Sequence, residues 1–185
     1  MKKHVFSFAL FAGIITMSIG CKGSFDQTRN DFPEDSKIGK SLFRAGQMTE
    51  NWFNEFKMYA YQAIGEDQDL NEQEKKQESK RIEDMHYREN SIFFFTMVNN
   101  VPMLEDERPL SFSIVDGKGE NYLTSTELVK LKITEISQYG SRKSYNYTYL
   151  LLTEEINIDS LDKDKLPIIL SATFAGDKKI EYTLE

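Results

Sequence analysis

The 185-residue chain is poor in the residues that staple, ligate or punctuate a fold: it has one cysteine, two histidines, one tryptophan and four prolines. The lone Cys21 has no disulfide partner within the chain. His4 falls in the first 20 residues, so beyond them His86 is the only imidazole. A multi-histidine metal site therefore cannot be assembled from one chain, and the single candidate base for a His-assisted nucleophile, His86 on the charged segment Leu70 to Arg88, reads as a lone surface imidazole. No Gly-x-Ser-x-Gly elbow and no Walker loop occurs. Positive charge is scarce too: 23 Lys and Arg stand against 30 Asp and Glu, which removes the electrostatic drive toward nucleic acid or an anionic lipid surface. Nor does the most apolar run, Val5 to Ile19, suffice to span a bilayer, since it offers about 15 residues where about 20 are needed. The expected protein is not an enzyme, and neither a cofactor nor a metal is expected.

That short run is nevertheless the most informative stretch. Lys2 and Lys3 precede it and Ser18-Ile19-Gly20-Cys21 closes it, the layout of an export signal that is cut from the mature protein. With Gly20 directly before Cys21, the segment resembles the signal peptide of bacterial lipoproteins, whose lipobox reads Leu-small-(Gly/Ala)-Cys. Ser18 stands where Leu is usual and Ile19 where a small residue is usual, as in the looser lipoboxes of spirochaetes. The resemblance covers residues 1 to 21 alone. It implies that residues 1–20 are removed and that Cys21 becomes an acylated N-terminus, the protein's link to the membrane. At about 0.8 kcal/mol per buried methylene, two or more acyl chains give lasting attachment. Lys22, in place of the Asp that retains such proteins in the inner membrane of enterobacteria, points to the outer membrane.

Cleavage deletes Lys2 and Lys3 and no acid, leaving 21 basic against 30 acidic residues and a formal charge of −9. The remaining length suits one domain. Residues 21–46 read as a flexible tether, because Gly23, Pro33, Gly39 and Gly46 interrupt a polar stretch in which Phe25, Phe32 and Phe43 follow no period. The folded domain is then expected over residues 47–185.

Within it, Trp52, Phe56, Tyr59, Ala60 and Ala63 fall at helical spacing, but the density of aromatics favours a strand from Phe53 to Ala63. Leu70 to Arg88 is rich in Glu, Gln, Lys and Arg, with Asp69 or Asn71 as N-cap, and predicts a surface helix that meets the core near its C-terminal end. From Ser91 the period becomes 2. Ile92 to Val98 is apolar on both faces, as for a central strand. Leu110, Phe112 and Ile114 precede an Asp116-Gly117 turn; Val129, Leu131 and Ile133 alternate with lysines. Ile168 to Phe174 and Ile180 to Leu184 flank a Gly176-Asp177 turn. The predicted class is α+β, mainly β: an antiparallel β-sandwich with one charged surface helix. An immunoglobulin-like topology is compatible with this architecture, without its cysteine pair.

Tyr145, Tyr147 and Tyr149 must share one face of a strand: pointing outward they make the candidate binding surface, whereas paired with neighbours across the sheet or covered by the Leu70 to Arg88 helix they are structural. Asp159, Asp162 and Asp164 alternate with lysines and read as a solvated turn rather than a calcium loop. The expected function is that of a non-catalytic, membrane-anchored lipoprotein whose sandwich binds an unknown protein partner or a matrix component. The alternative is a carrier or chaperone for a lipid or small apolar ligand held between helix and sheet. A cavity above about 300 Å³ lined by Phe and Met favours the carrier; a filled core with an exposed aromatic patch favours the first reading.

Overall fold

The structure, a computed structural model, describes residues 32, 36–68, 70–137 and 140–184, with residues 130–143 described through their backbone alone. The signal, Cys21 and the start of the expected tether lie outside these residues. In chain order the elements are α1 (Lys37–Lys40), β1 (Leu42–Gln47), α2 (Glu50–Glu66), α3 (Glu72–Glu83), β2 (Ile92–Asn99), β3 (Ser111–Val115), β4 (Leu123–Ser137), β5 (Gly140–Thr153), β6 (Ile168–Thr173) and β7 (Lys179–Leu184). The class is the expected one, mainly β with helices. A four-stranded antiparallel sheet in the order β1-β2-β5-β4 faces a three-stranded antiparallel sheet in the order β3-β6-β7. If β1 to β7 are lettered A to G, these sheets are ABED and CFG, the strand order of the constant-type immunoglobulin sandwich.

Strand alternation builds the layers. In β2, Phe93, Phe95 and Met97 point into the inter-sheet core, where they meet Ile114, Leu170, Ala172, Ile180, Tyr182 and Leu184 of the second sheet. Ile92 and Phe94 point the other way, into a second core under the helices, with Leu150 and Val129. A strand apolar on both faces is thus central, covered by a sheet on one side and by helices on the other. The terminal hairpin forms as expected, with Gly176 at φ 74° and Asp177 at φ 58°.

Three expectations give way. The segment from Phe53 to Ala63 is helical, within α2, not a strand. Its aromatics fall at i, i+3 and i+4, so Phe53, Phe56, Ala60, Ala63 and Ile64 form one stripe against the sheet, and Thr49 caps the first turn through a Trp52 amide bond. The folded part begins before residue 47, inside the stretch read as tether. β1 pairs residue by residue with β2 from Leu42↔Val98 to Gln47↔Phe93, and Phe43 and Ala45 are core. Just before it, Asn99 Nδ2 donates to the Lys37 carbonyl at 3.0 Å and to Ser41 Oγ at 3.2 Å, which pins α1 as well. Finally, Asp116-Gly117 makes a tight turn, closed by an antiparallel bridge between Val115 and Asn121, but not a hairpin within one sheet. β3 and β4 lie in different sheets, and the positive φ of the crossing loop, 86°, belongs to Gly119.

The charged helix runs over Glu72–Glu83 and not to Arg88. Asn71 is its N-cap in a capping box with Glu74, and its single buried side chain, Ile82, lies in the last turn.

Candidate functional site

Tyr147 and Tyr149 are buried and Tyr145 is half-buried; all three face the second sheet, so the candidate binding surface is core and not surface. The face was misjudged because β5 has aliphatic residues on both sides: Leu151 shares the tyrosine face, while Leu150 and Leu152 turn to the helices. Burial pushes the Tyr149 phenol up to about 12, with the Arg108 charge opposing it. The Met103 amide donates to Tyr147 Oη at 2.9 Å, and the Arg108 guanidinium lies 4.9 Å from the ring centre. Because that phenol is the buried amide's partner, Tyr147→Phe is expected to cost about 1–3 kcal/mol, the price of an orphaned buried donor. Urea denaturation checks it, and an unchanged midpoint would show that water replaces the hydroxyl.

The other sequence candidates are structural. His86 is exposed and lies after the end of α3. Asp164 pairs with Lys118 at 2.5 Å, while Asp159 and Asp162 are exposed. Asp116 is the one buried acid of this region. Burial raises its carboxyl, but the Glu120 amide, the Tyr122 hydroxyl, the Lys118 amide and the Lys165 charge outweigh that and hold it below the usual carboxylate range. It organises its own loop. Among the described residues, no three His, Cys, Asp or Glu side chains gather to hold a metal, and no helix is long and apolar enough to cross a membrane.

A groove of about 660 Å³ opens instead between the helix pair and the outer face of the four-stranded sheet. Its floor is Phe53 of α2, Met85, Ile92 of β2, and Leu150 and Leu152 of β5; its rim is Gln77, Lys80, Arg81, Asp84, His86, Arg88 and Glu127. Local chemistry keeps its walls apart. Ile82 seats the last turn of α3 in the helix-side core, and Lys57 Nζ donates to the carbonyls of Glu83 at 3.0 Å and Met85 at 2.8 Å, which fixes the chain leaving α3. Arg81 pairs with Glu78 of its own helix at 2.7 Å and reaches across to β4, pairing with Glu127 at 3.5 Å and donating to the Leu128 carbonyl at 3.3 Å.

Arg81 is thus committed to structure. Lys80 and Arg88, by contrast, are exposed and form no ion pair among the described residues. The arrangement offers an apolar trough with two available cations at its edge. Its volume is in the range of ligand sites, but it is an open groove in which one Phe and one Met stand among twelve lining residues, seven of them polar or charged. The sequence did not reveal it, since its residues come from five separate stretches and each alone reads as core or as solvated charge.

No protein-family model matches the chain, and neither a curated protein nor a solved structure matches it.

Proposed function

We propose that the protein is a non-catalytic lipoprotein, exported through residues 1–20 and held at the outer membrane by acyl chains on Cys21, whose domain binds an elongated amphiphile with an apolar chain and one anionic head. The observation that carries the ligand class is the groove's division into a Phe53, Met85, Ile92, Leu150 and Leu152 floor and a rim bearing Lys80 and Arg88. An alkyl chain gains from leaving water along such a floor. A carboxylate at its end meets two cations that form no ion pair among the described residues. The tyrosine row was the candidate surface for the protein-binding reading, and Tyr147 and Tyr149 lie inside the domain.

The ligand is tested with cis-parinaric acid, an eighteen-carbon fluorescent carboxylic acid. Trp52, the only tryptophan, packs on Phe94 within the same helix–sheet layer and serves as energy donor. Saturable binding displaced by palmitate is expected. Lys80→Glu with Arg88→Glu weakens it about tenfold or more, as loss of a charge-assisted hydrogen bond of about 1.5 kcal/mol implies. Both side chains are exposed, so the fold is retained. No saturable binding, or equal binding by the double variant, sinks the reading.

Anchoring is tested separately. Cys21→Ala is expected to move the protein from the membrane to the soluble fraction with its melting temperature unchanged. Retention in the membrane after a high-salt wash would point to an uncleaved leader.

A further inference from the structure

The α3 wall of the groove is fastened firmly along one side only. Gln77, Lys80, Arg81 and Asp84 of the lining fall at the spacing of one helix face, so that face of α3 is the wall that looks across to β4 and β5. Both ends of the helix are tied to α2. Lys75 Nζ donates to the Gly65 carbonyl at 3.0 Å near its start, and Lys57 Nζ donates to the Glu83 and Met85 carbonyls at its exit, where Tyr87 also packs on Phe53 with ring centres 5.8 Å apart. Little else holds it. α3 buries Ile82 alone, whereas α2 buries Phe53, Phe56, Ala60, Ala63 and Ile64, so the wall has far less apolar area to lose on moving than the helix it leans on.

Across the groove the fastening is polar. Among the described residues, every hydrogen bond or ion pair from α3 to the sheet comes from Arg81: Nη1 meets Glu127 Oε2 at 3.5 Å, and Nη2 donates to the Leu128 carbonyl at 3.3 Å. The same guanidinium serves a second acid. Its Nε and Nη2 donate to Glu78 Oε2, one turn earlier on α3, at 3.1 and 2.7 Å. Two carboxylates, one on the helix and one on β4, thus compete for a single cation, and the shorter bonds go to the one that does not cross the groove. A partly exposed ion pair of 3.5 Å holds weakly in water, so neither arrangement of Arg81 locks out the other.

The geometry points to Arg81 as the latch of a lid: α3 swings about its ties to α2, narrows the groove when Arg81 bridges to Glu127 and the Leu128 carbonyl, and widens it when Arg81 folds back on Glu78 alone, a device that rests on the amphiphile reading of the groove and sets how a ligand enters and leaves. With the latch made, a bound chain is held between the α3 wall and Leu150 and Leu152. With it broken, that wall stands off and the chain escapes. The two acids therefore have opposite roles: Glu127 holds the lid shut, and Glu78 draws the latch away.

That opposition can be measured. Glu127→Gln and Glu78→Gln each remove one negative charge beside the groove from a partly exposed side chain, so a general effect of charge on an anionic ligand moves both variants in the same direction. A latch moves them apart. Glu127→Gln is expected to speed the release of cis-parinaric acid, followed by stopped flow against excess palmitate, about fivefold, and Glu78→Gln to slow it by a similar factor. Hydrogen exchange of the ligand-free protein reads the lid directly: the amides of α3 exchange faster in Glu127→Gln and slower in Glu78→Gln than in the unaltered protein, while those of α2 stay as they were. Release rates that stay equal, or shift in the same direction, on protein that binds saturably overturn the latch alone. Absence of saturable binding overturns the amphiphile reading, and exchange then decides the latch by itself: opposite shifts keep the moving wall, and equal exchange in all three proteins removes it.

Discussion

Phe95→Ala is expected to lower the stability of the domain by about 3–5 kcal/mol, a large share of the 5–15 kcal/mol that such folds possess. Phe95 is fully buried in the middle of β2, and its ring meets rings from four other strands. Its ring centre lies 6.0 Å from Phe43 of β1 and 6.4 Å from Tyr149 of β5 within its own sheet, and 5.4 Å from Phe112 of β3 and 6.1 Å from Tyr182 of β7 across the core. Antibody domains of this strand order pin their B and F strands with a disulfide. Here those strands are β2 and β6, and with Cys21 the only cysteine the sheets are held by rings. Removing the central one leaves a cavity bordered by rigid aromatics that cannot collapse into it. Phe95→Leu, which keeps most of the volume, should cost clearly less. Urea denaturation followed by far-ultraviolet dichroism decides the matter. A loss under about 1 kcal/mol would show that the two sheets cohere without this ring.

Much of the fold was legible in local pattern. Alternation from Ser91 onward marks each strand of the second half, and the double apolar run Ile92 to Val98 marks the central one. What escaped was non-local. Whether β5 turns its tyrosines or its leucines outward depends on which partner covers which face, and both faces of that strand are covered. Strand order depends on which strands share a sheet, and β3 leaves its sequence neighbour β4 to pair with β6. Glu50 to Glu66 misled for another reason: aromatic propensity argued for a strand while spacing argued for a helix, and the need to cover Phe94 and Leu150 decided for spacing. The folded status of residues 37–47 was hidden because a short edge strand interrupted by Gly46 carries almost no period of its own. The groove lies wholly in this non-local part, since it exists only where the last turn of α3 stands above β4 and β5.

Phe94→Ala is expected to cost about 3–5 kcal/mol as well, but on the opposite face and with a different signature. Phe94 is buried between Gly46 of β1 and Leu150 of β5, and its ring stacks on Trp52 of α2 with centres 5.2 Å apart and planes at 21°. The sandwich core does not depend on it. What depends on it is the seat of the helix pair, because Phe94 joins Phe53, Ile82 and Leu150 in the cluster under α2 and α3. Truncation should therefore loosen the helical layer first. Trp52 emission should shift to the red and gain access to iodide in buffer, at denaturant concentrations where the tyrosine dichroism of the inter-sheet core stays intact. The same variant should lose cis-parinaric acid binding, since the groove has no roof once the helices float. If the denaturation midpoint moves only slightly and Trp52 emission is unchanged, the Ile92–Val98 run is open to solvent on that side. The helix-covered face is then a bare binding surface rather than the floor of a groove.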